Sequence, residues 1–322
     1  MQPSTHTGPH GGATIVANPV LLMPSDARER LDHYLVRLGW ARSRRAAREM
    51  LAGGLVRVNG RVLPKGETVG GGDTVEIGEL PALPALAPDS EVKLEVLFRD
   101  PAMLVVHKPA PMACHPLRPG ERGTVMNGVA AAFPESITAG DNPREGGLVH
   151  RLDNGTSGAL LVALAPPAFA ALREAIRAGR IRRDYQALVA GNLKQSLQID
   201  KPLAHDPRNP RRMIAVAPNA AGARAAATAV EPIRRFGDFT LVAVRPRTGM
   251  RHQIRVHLAE AGHPIAGDAL YGGPALDALA EGRFWLHLAE IEFRSPASGP
   301  VRVCSPLPRE LEGALKEASR RA

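Results

Sequence analysis

The chain has 322 residues, 44% hydrophobic and 23% charged, so it is long enough for two ordinary domains and too apolar to be disordered throughout. Its 41 Lys and Arg residues exceed its 32 Asp and Glu residues, and the formal charge of +9 predicts a polyanionic partner, nucleic acid ahead of a membrane. Two cysteines exclude a disulfide scaffold and a four-cysteine zinc site. No apolar run approaches the length of about 18 residues that a membrane span requires, and no secretory signal is recognisable. We therefore expect a cytoplasmic protein without a membrane span.

The first 79 residues comprise a tail and a small unit of helices and strands. Residues 1–25 are rich in Gly, Pro, Ser, Thr and His without periodicity, which predicts a flexible tail. From Asp26, a plausible N-cap, RERLDHYLVRLG has the apolar spacing of a helix, and SRRAAREMLAGG predicts a second helix capped by Ser43. LVRVNGRVL then predicts a hairpin that turns at Asn59-Gly60, and TVEI predicts a third strand.

Basic residues are concentrated in this unit, residues 26–79. Seven arginines lie between residues 28 and 48, against Glu29 and Asp32. A solvated charged face is the ordinary explanation of such a run. The element order, with the pattern R-L-D-x-x-L followed by S-R-x-x-A-x-x-x-[IL]-x-x-G-x-V-x-V-N-G, resembles the S4 RNA-binding module. The candidates for RNA contact are Arg42, Arg44, Arg45, Arg48, Asn59 and Lys65.

A second domain is predicted over residues 91–318, after a Pro-rich linker at residues 80–90. VLFRDPAMLVVHKP predicts two strands around a turn, and ALLVAL predicts a buried strand. Helices are predicted from Pro167 to Gly179 and around Ile254. Strands and helices alternate without a strict βαβ rhythm, which favours an α+β fold. We expect a mixed, mainly antiparallel sheet with flanking helices, preceded by a small α/β S4-like domain.

The stretch GGLVHRLDNGTSGALLVAL contains the first candidate for chemistry. Asp153 lies in a loop with two glycines, directly before the buried strand that would fix its position. An Asp in such a loop is ordinarily a turn residue or an N-cap. The neighbouring Arg151 favours the alternative, a catalytic carboxylate.

Two further segments carry polar side chains in a suggestive order. In RPRTGMRHQIRVHLAEAGHPIAGDALYGG, the spacing lets Arg251, His252 and Arg255 share one helical edge, although a basic surface helix would have the same spacing. The three histidines of this segment are too far apart on one helix to bind a metal together, and no metal site is expected. In RIRRDYQALVAG, Tyr185 occupies a strand among arginines, where a tyrosine is usually a core or edge residue.

These segments together resemble the RluA-type pseudouridine synthases. HRLDNGTSG is similar to the family's H-R-L-D-x-x-T-S-G signature, and RDYQALVAG is similar to its [KR]-x-Y-x-A-x-V-x-G strand. TGMRHQIR with GHPIAGDALYG resembles its T-G-x-x-H-Q-I-R block. VHKPAPMACHP resembles its entry strand, and LHLAEIEFRSP resembles its C-terminal strand. The resemblance spans residues 92–311.

The resemblance implies the isomerisation of uridine to pseudouridine in RNA, without a cofactor or a metal. Asp153 would be the catalytic carboxylate, acting as a nucleophile or as a base on the ribose. Tyr185 would stack on the uracil and assist removal of the C5 proton, and Arg255 would pair with Asp153. Arg151 would fill the space left by the uridine that leaves its stack. The expected substrate contacts are Arg151, His150, Lys108, His252, Gln253 and Arg251.

Large-subunit ribosomal RNA, 23S or its precursor, is the expected substrate, and a monomer is the expected form. Two alternatives stay open: a non-catalytic RNA-binding or ribosome-assembly factor, and a pseudouridine synthase that acts on tRNA. The chain departs from the family pattern at three places. Met250-Arg251 replaces Arg-Thr, Pro111 replaces Gly, and His107 replaces Asn. These departures concern the grip on RNA rather than Asp153.

Overall fold

The structure is a computed structural model that describes residues 20–21, 28–41, 44–63, 66–78, 86–118 and 120–320. The chain divides into two compact units, Met1–Leu83 and Pro84–Ala322, each with its own hydrophobic core. The predicted N-cap Asp26, nearly all of the predicted tail and most of the predicted linker lie outside the described residues.

In the described parts of the chain we find no helix with the length and apolarity that crossing a bilayer requires.

The first unit combines two helices with short strands, as its apolar spacing predicts. The helices are α1 (Leu31–Arg37) and α2 (Arg44–Ala52). The strands are β1 (Val20–Leu21), β2 (Glu29–Arg30), β3 (Val56–Val58), β4 (Arg61–Val62), β5 (Thr68–Val69) and β6 (Thr74–Ile77). They form the antiparallel sheets β1-β6-β3-β4 and β2-β5. Leu35 of α1, Ala47 of α2 and Val75 of β6 are buried in one core.

Helix α1 begins later than the prediction of a helix from Asp26. Glu29 and Arg30 form β2 and pair with β5, and the Leu31 amide donates to the Glu67 carbonyl at 2.9 Å. This strand pairing takes the backbone out of the helical conformation until Leu31. Ser43, the predicted cap of α2, lies outside the described residues.

The predicted hairpin turn at Asn59-Gly60 is confirmed. Both residues have positive φ, +51° and +75°, a backbone conformation that Asn and Gly tolerate best. The turn joins β3 to β4, which pair antiparallel.

The second unit contains the remaining strands and helices. Its strands are β7 (Glu95–Arg99), β8 (Met103–Lys108), β9 (Ser157–Ala163), β10 (Arg182–Ala190), β11 (Leu197–Ile199), β12 (Leu203–His205), β13 (Met213–Ala215), β14 (Thr228–Phe236), β15 (Phe239–Pro246), β16 (Leu286–Ser295) and β17 (Gly299–Cys304). Its α-helices are α3 (Val125–Ala132), α4 (Pro166–Arg177), α5 (Gln253–Glu260) and α6 (Arg309–Arg320). Short 3-10 turns cover Pro134–Thr138 and Ala269–Tyr271.

A large mixed sheet organises this unit in the order β11-β14-β15-β10-β16-β9-β8-β7, and β17 also pairs with β16. Among the described pairs, β9 with β16 is parallel and the others are antiparallel. Gly158 lies at the parallel pair with φ +128°, and a Cβ there would meet the Leu288 carbonyl oxygen at 2.3 Å. The observed architecture is therefore the α+β fold with a mainly antiparallel sheet that the sequence predicts.

Helix α5 corrects two expectations. It begins at Gln253, so Arg251 and His252 precede it and do not share a helical edge with Arg255. His252 has φ +54°, the left-handed conformation that ends the preceding turn. Residues 253–258 are all buried, so α5 is not the basic surface helix that its spacing also allowed.

Candidate active site

The loop that carries Asp153 is fixed at both ends. Just before it, Leu148 makes an isolated bridge to Val162, and directly after it β9 is buried along its whole length. Inside the loop, the Thr156 amide donates to the Asp153 carbonyl at 3.0 Å and closes a tight turn. The Cys114 thiol lies 3.3 Å from both the amide nitrogen and the carbonyl oxygen of Leu152. The backbone around Asp153 is therefore held by hydrogen bonds and packing.

Asp153 pairs with Arg255, which comes from α5. The Arg255 Nη1 donates to Asp153 Oδ2 at 3.0 Å, and the exposed fractions of the two side chains are 8% and 26%. The same guanidinium binds Asp268 in a bidentate manner, from Nε at 2.7 Å and from Nη2 at 2.8 Å. Burial alone would lower the pKa of Arg255, but the two carboxylates hold it above its ordinary value.

Two aromatic rings flank this guanidinium. The Arg255 Cζ lies 4.3 Å from the Phe284 ring centroid and 5.0 Å from that of Tyr271. A cation held by carboxylates and rings in this way has few alternative orientations. Its Nη1, which does not bind Asp268, donates to Asp153.

His252 lies on the other oxygen of Asp153. Its Nε2 is 3.9 Å from Asp153 Oδ1, and its Nδ1 is 2.8 Å from the Tyr271 hydroxyl. That hydroxyl also accepts the Met213 amide at 3.0 Å. Burial lowers the pKa of His252 to about 4, so the ring is neutral at neutral pH. His252 is therefore a neutral polar neighbour of the Asp153 carboxylate, and Arg255 is the cation that pairs with it.

Tyr185 forms part of the wall of the same cleft. It lies on β10, where its neighbours across the sheet are Val244 of β15 and Leu288 of β16. A register shift between Asp184 and Tyr185 interrupts the ladder at this point. Burial raises the pKa of Tyr185, so its hydroxyl keeps its proton at neutral pH.

One cleft brings together six of the nine predicted catalytic and substrate-contact residues. They are Asp153, Tyr185, Arg255, Arg151, His252 and Gln253. Arg151 is exposed at this cleft. Arg251 does not line it; its guanidinium donates to the carbonyls of Pro210 and Arg211, at 3.2 and 3.0 Å.

Two predicted substrate contacts, Lys108 and His150, have their hydrogen-bonding groups engaged inside the protein. The buried Lys108 Nζ donates to the carbonyls of Pro109, Asn154 and Thr156, which uses its three donor positions. His150 Nε2 accepts the Leu161 amide at 3.2 Å, and burial lowers the pKa of His150 to about 3. The structure therefore places Lys108 and His150 behind the loop rather than in the cleft.

Gln253 lines the cleft, but its amide is committed to the protein. Its Oε1 accepts hydrogen bonds from the Thr248 hydroxyl at 2.7 Å and the Met250 amide at 3.0 Å. Its Nε2 donates to the Ala227 carbonyl and the Thr228 hydroxyl. These bonds shape the turn before α5, and the expected substrate contact by this amide is corrected to a structural one.

The residues predicted to contact RNA in the first unit differ in whether their side chains already bind other residues of the protein. Arg44 is exposed on α2, while Arg48 Nε lies 3.3 Å from the buried carboxylate of Asp32. Asn59 is bound to its own domain: its side-chain amide donates to Asp73 and its side-chain oxygen accepts the Thr74 amide, both at 2.8 Å. Arg42, Lys65 and the side chain of Arg45 lie outside the described residues.

Asp268 and Tyr271 were not among the predicted site residues. Both belong to the stretch GHPIAGDALYGG, which the family resemblance covers but which received no role. A buried arginine needs a partner of opposite charge, and that requirement was the available signal for Asp268. No comparable pattern pointed to Tyr271.

The described residues contain no group of three or more His, Cys, Asp or Glu side chains placed to hold a metal ion. The histidines of the predicted α5 segment have separate partners. His257 contacts the Thr228 hydroxyl and the Lys201 carbonyl, and His263 contacts the Ala190 carbonyl.

Comparisons with known proteins identify the family of this chain. A family model described as RNA pseudouridylate synthase matches residues 102–260, and an S4 domain model matches residues 29–75. An uncharacterized RNA pseudouridine synthase from Chloroflexus aurantiacus is 35% identical over 304 residues, covering 94% of each chain. Ribosomal large subunit pseudouridine synthase D from Xanthomonas campestris is 36% identical over 313 residues, covering 92% of each chain.

A solved structure shows a similar fold. Human RNA Pseudouridylate Synthase Domain Containing 1 has a TM-score of 0.56 and 26% sequence identity, and the match covers 71% of this chain and 90% of that one. An S4 domain precedes a unit in which Asp153, Tyr185 and Arg255 line one cleft, and the chain belongs to the RluA-type family of RNA pseudouridine synthases, which are isomerases.

Proposed function

We propose that this enzyme converts specific uridines of large-subunit ribosomal RNA to pseudouridine, with Asp153 as its catalytic carboxylate. The observation that carries this proposal is the 3.0 Å contact between Asp153 and Arg255 in a cleft that Tyr185 also lines. The ribosomal substrate rests on the names of relatives such as the Xanthomonas campestris enzyme.

The proposed reaction uses the cleft to hold the base while its bond to the ribose is exchanged. The glycosidic bond between C1′ and N1 breaks, the uracil turns, and C5 bonds to C1′; the proton on C5 is then lost and N1 gains one. Asp153 acts on the ribose, as a nucleophile at C1′ or as a base, and Arg255 stabilises its negative charge. Tyr185 stacks on the uracil. Because burial raises the pKa of its hydroxyl, Tyr185 stays protonated and serves as a packing surface rather than as the base that removes the C5 proton.

Access to this cleft requires the uridine to leave its stack. Arg151, exposed at the cleft two residues before Asp153, is the proposed side chain that takes its place and contacts phosphate. The S4 domain adds a basic grip on the RNA, for which the exposed Arg44 is a candidate. A monomer suffices in this proposal, because every group named belongs to one chain.

The decisive experiment is Asp153→Asn, assayed by tritium release from RNA labelled at C5 of uridine. We expect the rate to fall by at least roughly 10³-fold, because the substitution removes the reacting oxygen charge while keeping the side-chain shape. The matched control is Asp184→Asn, which removes a carboxylate that pairs with Arg182 at 2.7 Å instead of reaching the cleft. Full activity of the Asp153 variant would end the assignment.

The choice of RNA is tested by mapping pseudouridines in total RNA from a strain that lacks the gene. We expect positions in large-subunit ribosomal RNA to lose the modification and to regain it with the wild-type gene only. Loss confined to transfer RNA would favour the tRNA alternative. Rescue of a growth defect by Asp153→Asn as fully as by wild type would favour the binding-factor alternative.

A further inference from the structure

Buried cations hold three consecutive peptide carbonyls directly after Asp153. The Lys108 ammonium binds the carbonyls of Asn154, at 3.1 Å, and of Thr156, at 2.8 Å. The carbonyl between them, that of Gly155, accepts from Nη1 of Arg283. The loop is thus held by two side chains that are distant in sequence, Lys108 at the end of β8 and Arg283 just before β16.

Arg283 is buried with an exposed fraction of 1%. Besides the Gly155 carbonyl, its Nη1 binds the Phe284 carbonyl at 2.6 Å, and its Nη2 donates to the Ser157 hydroxyl at 2.8 Å. Its Nε lies 3.5 Å from the Glu310 carboxylate of α6. Burial lowers the pKa of Arg283 to about 10, so the guanidinium stays charged at neutral pH.

Burying the Arg283 guanidinium carries a desolvation penalty. A buried charge is often no more stabilising than an apolar side chain of similar volume, so stability alone does not explain an arginine here. What the guanidinium supplies instead is a planar set of donors, which bind Gly155 in the loop and Ser157 at the start of β9.

The segment around Arg283 touches the loop that follows Asp153 and also the side chain of Arg255. Gly155 is pressed against it: a Cβ at this position would lie 2.4 Å from the Gly282 carbonyl oxygen and 2.5 Å from the Phe284 ring. The same Phe284 ring covers the guanidinium of Arg255. A shift of this segment would therefore move the Asp153 loop and Arg255 relative to each other.

We propose that Arg283 is a positioning residue of the isomerisation, which holds the loop after Asp153 so that the carboxylate stays within hydrogen-bond distance of Arg255. It acts through the loop and does not line the cleft. The proposal rests on the proposed role of Asp153. It predicts that Arg283 affects the chemical step rather than the affinity for RNA.

The test measures single-turnover tritium release at saturating enzyme, together with the dissociation constant for RNA, in the full chain. Arg283→Met should lower the single-turnover rate by about 10²-fold, as a small misplacement of a reacting group can, with RNA affinity within about twofold. Arg283→Lys should restore part of the rate, because one ammonium can still bind the Gly155 carbonyl. The matched control is Ile291→Ala, which removes a buried side chain from β16, the strand that follows this segment, and should leave the rate of the folded fraction unchanged.

A second measurement does not depend on activity. Hydrogen exchange of a peptide that covers residues 152–158 should accelerate in Arg283→Met and not in Ile291→Ala. If Arg283→Met does not fold, Arg283→Lys carries both measurements, with a smaller expected change in each. Rates and exchange equal to those of Ile291→Ala would overturn the proposal.

The two proposals fail in different ways. If wild type releases no tritium from any RNA tested, the proposed function is wrong, and the exchange measurement still shows whether Arg283 holds the loop after Asp153. If Asp153→Asn is inactive while Arg283→Met turns over at the wild-type rate, the proposed function holds and Arg283 is structural only.

Discussion

Arg255 illustrates how one side chain can be aimed by its neighbours. Asp268 takes two of its donor positions, Nε and Nη2, and leaves Nη1 to face Asp153. The planar guanidinium fixes the angle between these donors, so the position of Asp268 sets the direction of the contact with Asp153. A lysine could not be held in this way, because its ammonium has no fixed fork.

Replacing Asp268 should therefore cost both stability and activity. Asp268→Asn leaves a buried cation with one carboxylate fewer, and we expect the free energy of unfolding to fall by about 3 kcal/mol and tritium release to slow by roughly 10²-fold. Chemical denaturation and the single-turnover assay measure the two effects. Glu260→Gln is the control, at the end of the helix that carries Arg255: its exposed pair with Lys201 spans 3.8 Å, and its loss should cost less than about 1 kcal/mol. Equal effects of the two substitutions would contradict the assigned role of Asp268.

Residue types and spacing predicted well which side chains come together in the cleft. They predicted less well the role of each side chain. The motifs around Asp153, Tyr185 and Arg255 led to one cleft, which the structure contains. They also suggested Lys108 and Gln253 as substrate contacts, but the donors of these side chains bind backbone and neighbouring side chains. A linear pattern records that a donor is present and not whether the folded backbone has already occupied it.

At the scale of elements, local signals predicted turns and helix identity but not helix starts. The Asn59-Gly60 turn was readable because its conformation restricts the residue types that fit. The starts of α1 and α5 were not, since β2 forms only by pairing with the distant β5, and the turn before α5 is organised by Gln253 and its partners. Both boundaries depend on contacts that a local window does not contain.

The β3–β4 turn gives a prediction for the first unit. Asn59→Ala puts a Cβ-bearing residue without a polar side chain at φ +51° and removes the bonds to Asp73 and Thr74, so we expect a loss of about 2 kcal/mol. Asn59→Gly removes the same bonds without the strain and should cost less. Unfolding can be followed by Trp40 fluorescence in a Trp285→Phe background. A fall in RNA affinity for Asn59→Gly with unchanged stability would instead support direct RNA contact by Asn59.

For the whole molecule, the buried histidines predict how stability depends on pH. Burial lowers the pKa of His150 to about 3 and those of His252 and His287 to about 4, whereas unfolded histidines titrate near about 6.5. Between these values the unfolded chain binds protons that the folded chain does not. Stability should therefore be full above about pH 6.5 and fall as the pH is lowered toward 4, by about 1.4 kcal/mol per pH unit for each titrating histidine.

Urea unfolding of the second unit at pH 7, 6 and 5 measures this slope. His287→Asn keeps a hydrogen-bonding group near the Ser157 hydroxyl and removes one titrating ring, so the slope should become shallower. A free energy of unfolding that stays constant from pH 7 to pH 5 would show that these rings do not control acid stability.

The place of β16 in the large sheet also matters during protein synthesis. This strand lies between β9 and β10 but is translated after both. Until the ribosome has passed Ser295, the nascent polypeptide holds two partial sheets with unpaired edges, one continuing from the Asp153 loop and the other carrying Tyr185. A stop codon anywhere upstream of Leu286 would leave the two partial sheets unjoined, so the large sheet is completed only in a chain that is translated through β16.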